Sequence, residues 1–276
     1  MLPSTTPPVS LSATWEDSRT FIRRESGLLF PLAFATLWLG NVGLSVLGEF
    51  LQAHANQPAW QGMASLGIFV LLIWVLIGQF SLIVMTLHPG VSVGESLRLA
   101  ARRLGVIIIA SFIVGFGQAL LMLPLAPRIN DMMQGGIESN MPTGPELVWM
   151  MVIFVVFIWL QARLLLLHPL LLDTRAGPIE GLRSAFSLTK GRHWPMLEVV
   201  GLSLGLYLVL LLAARVVLGS ALLALGRLIN QPQTGHMLDI MVQSGVEALF
   251  VLVFSVFSAR LYLRIVSPAN GTGGAK

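Results

Sequence analysis

Two serines in this sequence sit in a pattern associated with nucleophilic hydrolysis. Gly90-Val91-Ser92-Val93-Gly94 and Gly201-Leu202-Ser203-Leu204-Gly205 both read GxSxG. An activated serine needs a base within hydrogen-bond reach, usually histidine, and a third group to orient that base. His88 and His168 each precede a proline, His193 precedes a tryptophan, and His54 and His236 lie in polar segments. None falls in the apolar run that would face Ser203. An intramembrane serine protease therefore lacks its base. Close helix packing through small residues, as in Gly201-xxx-Gly205 and Ser111-xxx-Gly115, accounts for the pattern more simply. Cysteine is absent, which removes thiolate chemistry and cysteine-held metals. The scattered histidines predict no metal site, and no cofactor is expected. No Walker A loop, dinucleotide fingerprint or HExxH helix occurs.

A second polar set interrupts otherwise apolar sequence. Gln79, Gln118 and Gln161 fall near the middle of apolar runs, and Arg163, Glu198 and Arg260 nearer one end. Arg215 and Glu247 lie roughly 16 and 12 Å in from Gly226 and Asp239, at helical rise. That places them at similar depth on consecutive antiparallel helices, where they can pair. A charge in a bilayer needs a partner, water or the interface. These residues either line a polar cavity or lipid-headgroup site, or clamp helices together, with the outermost arginines snorkelling.

The elements that position them are membrane helices. Of 276 residues, 55% are hydrophobic and 11% charged, with a mean hydropathy of +0.81. A soluble domain carries about 25% charged residues, so an ordinary soluble globule and a disordered chain are both excluded. Met1 to Ser18 has neither a basic nor an apolar region of the secretory type. Runs near the 20 residues that a bilayer core requires predict six spans, at Leu28–Leu51, Met63–Leu87, Leu104–Pro127, Leu147–His168, Trp194–Leu225 and Leu238–Val266. The fold class is all-α and polytopic. Lys and Arg asymmetry sets orientation. Arg19, Arg23, Arg24, Arg98, Arg102, Arg103, Arg175, Arg183, Lys190, Arg192, Arg264 and Lys276 share one side, against Arg128 and Arg227 on the other. Both termini are therefore expected in the cytoplasm. Trp60 and Trp149 mark the outer boundary and Trp194 the inner one. The positive balance, net +4, is assigned to insertion and anionic lipid, with no nucleic-acid partner.

A repeat runs through this plan. Leu11–Glu25, Ser92–Arg103 and Pro178–Lys190 each read as an amphipathic helix ahead of an outward span. Their apolar stripes are Leu11, Trp15, Ser18 and Ile22; Val93, Leu97, Ala100 and Leu104; and Ile179, Leu182 and Phe186. Glu16-x-x-Arg19, Glu95-x-x-Arg98 and Glu180-x-x-Arg183 align, and each is followed by a glycine: Gly27, Gly105 and Gly191. Those glycines would turn the chain into the membrane. Ser92 with Glu95 reads as a capping box and Pro178 as a first helical residue. Return spans end near Pro89, Pro169 and Pro268. The result is one membrane domain of three parallel units, about 11–89, 90–173 and 174–268, with disordered tails at 1–10 and 269–276. Arg98, Arg102, Arg103, Arg183, Lys190 and Arg192, beside the stripes, are the expected contacts to anionic lipid of the cytoplasmic leaflet.

One segment is more distinctive. Leu166-Leu167-His168-Pro169-Leu170-Leu171-Leu172-Asp173 is followed by Gly177-Pro178 and by Ser184-Ala185-Phe186-Ser187-Leu188-Thr189-Lys190-Gly191-Arg192-His193-Trp194. With Trp15 and Phe21, and with Ala259-Arg260-Leu261-Tyr262-Leu263-Arg264, it resembles the glycerophosphoryl diester phosphodiesterase membrane-domain family and the related YciC-like inner-membrane proteins. The resemblance implies a multi-helix bacterial inner-membrane protein. The phosphodiesterase domain that names the family has no counterpart in this sequence, so its activity does not carry over. The leading expectation is a non-enzymatic membrane protein that organises lipid or a partner membrane protein through its amphipathic helices. The alternative is a carrier for a small anion or lipid, similar in plan to mitochondrial carriers but without their charged signature. An intramembrane enzyme ranks last.

Overall fold

Six helices long and apolar enough to cross a membrane follow one another along the chain. The structure is a computed structural model describing residues 10–126, 144–191 and 193–270, with side-chain surroundings to residue 266. All regular structure among these residues is helical. In hydrocarbon a lone segment satisfies its amides and carbonyls only by coiling on itself, so each apolar run becomes a helix.

Helix α1, Leu11–Arg24, starts where the Ser10 hydroxyl accepts from the Ala13 amide at 3.4 Å, and Arg23 and Arg24 complement the dipole of its last turn. The first two spans are α2, Ser26–Ala53, and α3, Pro58–Leu87. Proline at the start of α3 costs no helical hydrogen bond there. After α3 the chain reverses through His88, Pro89 and Gly90, whose φ of 98° favours glycine. The third span, α4, Val93–Leu125, is capped by Ser92, which accepts from the Glu95 amide at 3.3 Å. The first GxSxG serine is thus a helix cap. The fourth span, α5, Gly144–Asp173, is interrupted at Leu165 and Leu166. Pro169 has no amide hydrogen for the Leu165 carbonyl and its ring crowds that oxygen. Short α6, Pro178–Leu188, leads through Gly191, φ 82°, to the last two spans, α7, His193–Leu228, and α8, Pro232–Val266. In α2 and α7 the regular winding loosens into π-helical turns at Phe34–Trp38 and Ala213–Gly219.

The packed core sits at the end of the bundle where the basic residues lie. Phe80–Leu87 of α3 is buried without interruption, beside Leu164–Leu167 and Leu170–Leu172 of α5 and Ala259, Leu261 and Tyr262 of α8. A second cluster joins Phe21, Leu29 and Leu37 to Leu82 and Leu252. Spans α4 and α7 are the least enclosed, and carry exposed apolar side chains such as Phe112 and Val209. The return spans α3, α5 and α8 are tied together at the basic end. The Tyr262 hydroxyl donates to Asp173 Oδ2 at 2.8 Å, and Asp173 Oδ1 lies 3.8 Å from His88 Nε2.

Several expectations are corrected. Ser92–Arg103 is no separate surface helix: it runs into its span without a break at Gly105, where open space surrounds the residue and nothing forces a turn. The first break falls at Glu25 rather than Gly27; only Gly191 turns as expected. The last helix continues past Pro268 to Asn270. The expected disordered tails lie outside the described residues except Ser10, which caps α1, and residues 269 and 270, which are helical. Of the expected stripes Ser18, Ala100 and Leu104 are buried, while the remaining stripe residues are partly or fully exposed and the buried faces take in neighbouring, mostly small residues. These faces comprise Thr14, Ser18 and Phe21; Ser96, Ala100 and Leu104; and Gly181, Ala185 and Thr189. Small side chains let backbones approach, so bulky Trp15 and Ile179 turn outward. For the same reason close packing is found at other glycines than expected. Gly115, Gly201 and Gly205 face open space, whereas a Cβ at Gly78 would overlap Thr36, one at Gly40 would overlap Val75, and Gly226 packs on the backbone of Gly235.

Candidate functional site

The polar residues of the spans divide into three levels. At the basic end, Arg163 projects from α5 with its guanidinium 5.4 Å from the Trp159 ring and Nη1 3.4 Å from Thr189 Oγ1, while its buried Nε has no partner. Arg260 of α8 lies 4.3 Å over the Phe21 ring of α1, again with Nε unpartnered. Arg264, one turn further, forms a two-point contact with Asp17 Oδ2 at 2.9 and 2.6 Å. The aromatic face and the carboxylate both stabilise a guanidinium partly removed from water. These contacts fasten α1 to the last span, helped by the Trp15 and Phe257 rings 6.4 Å apart. Arg98, Arg102, Arg183 and Lys190 are exposed and Arg103 is half-buried; Arg192 lies outside the described residues.

At mid-level the three glutamines do not converge. Gln79 is half-buried on α3, and Gln118 on α4 buries Nε2 without a partner. Gln161 of α5 lines a cavity of about 250 Å³ with His168, Ser203 and Tyr207, among apolar side chains of α5, α7 and α8. His168 thus shares a cavity with the second GxSxG serine, which sequence did not foresee: the α5 interruption carries it there. No hydrogen bond joins the two among the described residues. His168 packs 5.4 Å from the Phe80 ring, and nearby Asp173 engages Tyr262 and His88 instead. A serine, a base and an orienting acid are present without being assembled as a relay.

Toward the opposite end, Arg215, Glu247 and Tyr207 lie within electrostatic reach of one another. No ion pair closes between Arg215 and Glu247; Arg215 is exposed on the π-helical turn, and Glu247 half-buried on α8. One and two turns further along α8 stand Gln243 and Asp239, joined at 2.6 Å, with Asp239 against Gly219. His236 then meets Glu49 of α2 at 2.7 Å. These three acids and their partners were not singled out from sequence as a file. For Asp239, Gln243 and Glu247 the i, i+4 spacing was the available signal, whereas nothing in the sequence links Glu49 of α2 to His236.

Glu198 stands apart. It is exposed near the start of α7 and lines a groove of about 480 Å³ between α1, α7 and α8, walled by Trp15, Leu202, Leu206, Phe254 and Phe257. Ser203 lies in the wall between this groove and the Gln161 cavity. Comparison with protein-family models, curated proteins and solved structures returns no match to this chain.

Proposed function

We propose that the chain is a non-enzymatic, multi-pass protein of a bacterial inner membrane, with both termini cytoplasmic, that organises anionic lipid beneath its cytoplasmic rim. The observation that carries this reading is the state of the basic rim. Arg98, Arg102, Arg103, Arg183 and Lys190 form no ion pair among the described residues, whereas Arg24 and Arg264 do. Beside an anionic leaflet each such cation is worth about 1 kcal/mol, less at high salt. The resemblance to the phosphodiesterase membrane-domain family implies a bacterial inner membrane and carries no activity with it.

The architecture in this proposal is three parallel units of amphipathic segment, outward span and return span. Its support is positional. The fifth residue after each aligned glutamate, Phe21, Ala100 or Ala185, is buried. Each return span also sends one residue, His88, Asp173 or Tyr262, to the same cluster. A second reading, a carrier for a small anion or lipid, draws on Arg215, which stands near Glu247 without an ion pair and is free to meet an anion.

Replacing Arg98, Arg102 and Arg103 together by Gln tests the leading reading. Anionic lipid co-purified at low salt should fall roughly tenfold, with thermal unfolding unchanged. Undiminished lipid in a folded variant would reduce this rim to a structural collar.

A further inference from the structure

We infer that the groove between α1, α7 and α8 holds a bilayer lipid with a primary ammonium headgroup, its acyl chain along the apolar wall and its ammonium on Glu198. This rests on the chain's lying in a membrane, but not on the anionic-lipid contacts of the basic rim.

The groove has the polarity of an amphiphile. Its volume, about 480 Å³, lies within the roughly 300–1,000 Å³ of small-molecule sites. Trp15, Leu202, Leu206 and Phe254 make the long wall apolar. Among the described residues Glu198 is the one charged residue lining it, and the α1 residue Ser12 adds a hydroxyl to the lining. Helical side chains lean toward the helix N-terminus, so the carboxylate tilts toward the start of α7 and the headgroup layer.

The carboxylate also lacks a partner. Glu198 forms no hydrogen bond or ion pair among the described residues, and a carboxylate at the edge of hydrocarbon is held by a cation, by water or by the interface. Three described cations toward this end have other partners: Arg163 with Trp159 and Thr189, Arg260 with Phe21, and Arg264 with Asp17. Lys190, eight residues earlier, makes no ion pair with Glu198. A primary ammonium offers three donors to the carboxylate. A quaternary ammonium offers charge without donors, and an anionic headgroup is repelled. The expected order is phosphatidylethanolamine, then phosphatidylcholine, then phosphatidylglycerol.

The whole chain in phosphatidylcholine nanodiscs, doped with each of these lipids carrying a photoreactive acyl chain, provides the test. Crosslinks are mapped by peptide mass spectrometry to residues 198–206 and 250–257. The ethanolamine probe should label these segments about tenfold more than the choline probe, the ratio expected of a charge-assisted hydrogen bond. Glu198→Gln, close to isosteric, should bring it down to the choline level. Leu202→Trp, which fills the groove, should suppress all three probes there while thermal unfolding is retained. The Arg98, Arg102 and Arg103 triple variant should keep the groove labelling, so failure at the rim and failure in the groove are read separately. Equal labelling by ethanolamine and choline probes, dominance of the glycerol probe, or indifference to Glu198→Gln would overturn the inference.

Discussion

At the scale of single residues, glycine has opposite roles at two positions of similar sequence character. Gly78 meets Thr36, which is buried and whose hydroxyl donates to the Leu32 carbonyl at 2.7 Å. A methyl group at Gly78 has no room unless α2 and α3 separate. Gly105 lies in an unbroken helix with open space around its would-be Cβ. Gly78→Ala should therefore cost about 1–3 kcal/mol through overpacking. Gly105→Ala should gain about 0.5–1 kcal/mol through helix propensity. Thermal unfolding in one detergent checks both. A destabilising Gly105→Ala would restore the turn that sequence predicts at that position. The polar residues carry the same lesson. Arg163 and Arg260 are legible as intramembrane charges, but that aromatic rings would receive them is not, because Trp159 and Phe21 read equally well as lipid-facing anchors.

At the scale of elements, α1 is a strap held at its polar edge. Asp17 binds Arg264 with both partners partly exposed, so the pair is worth at most about 1 kcal/mol. Its role is to fix where α1 lies, over Phe257 and along the Glu198 groove. Asp17→Arg sets like charge against Arg264, near Arg260 and Arg24. Amide exchange in Leu11–Arg24 should quicken while the spans keep their protection. Combining it with Arg264→Asp should restore slow exchange. Unchanged exchange in the single variant would mean that apolar contacts alone hold the strap. The amphipathic character of α1 and α6 was readable from helical spacing. Their buried faces were legible only in part: Ser18 lay on the expected stripe, but hydrophobicity also points to Trp15 and Ile179, whereas close packing selects Thr14, Gly181 and Ala185. In a bilayer the large apolar residues have a second destination, the lipid, and the rule that apolar means inside loses its force.

At the scale of the whole molecule, orientation can be tested directly because the chain has no cysteine. Single cysteines at Asn56 and Gln231 should react with a membrane-impermeant thiol reagent in intact cells. Those at Glu95 and Ala176 should react only after the membrane is opened. The reverse pattern would invert the topology, and a mixed pattern would overturn six spans. The expectation rests on the Lys and Arg asymmetry, which coincides with the packed end of the bundle. That coincidence is physical: α1, α6 and the tied return spans add apolar partners at the basic end, while lipid takes their place farther along α4 and α7.

The helical class and the positions of the spans were determined by sequence alone. Expected spans such as Met63–Leu87 and Trp194–Leu225 fall within Pro58–Leu87 and His193–Leu228, because hydrocarbon requires each apolar run to satisfy its backbone within itself. The Ser92 cap was legible too, being a local hydrogen bond. Tertiary structure decided everything that depends on azimuth, the direction each side chain takes around its helix. It brought His168 and Ser203 to one cavity, kept Arg215 and Glu247 from closing an ion pair, left Gly201 and Gly205 facing outward, and opened the groove beside Glu198. Depth accumulates along one chain at a fixed rise per residue, so sequence records it. Azimuth is set by how helices pack against one another, and in lipid no difference in hydrophobicity marks the inward face.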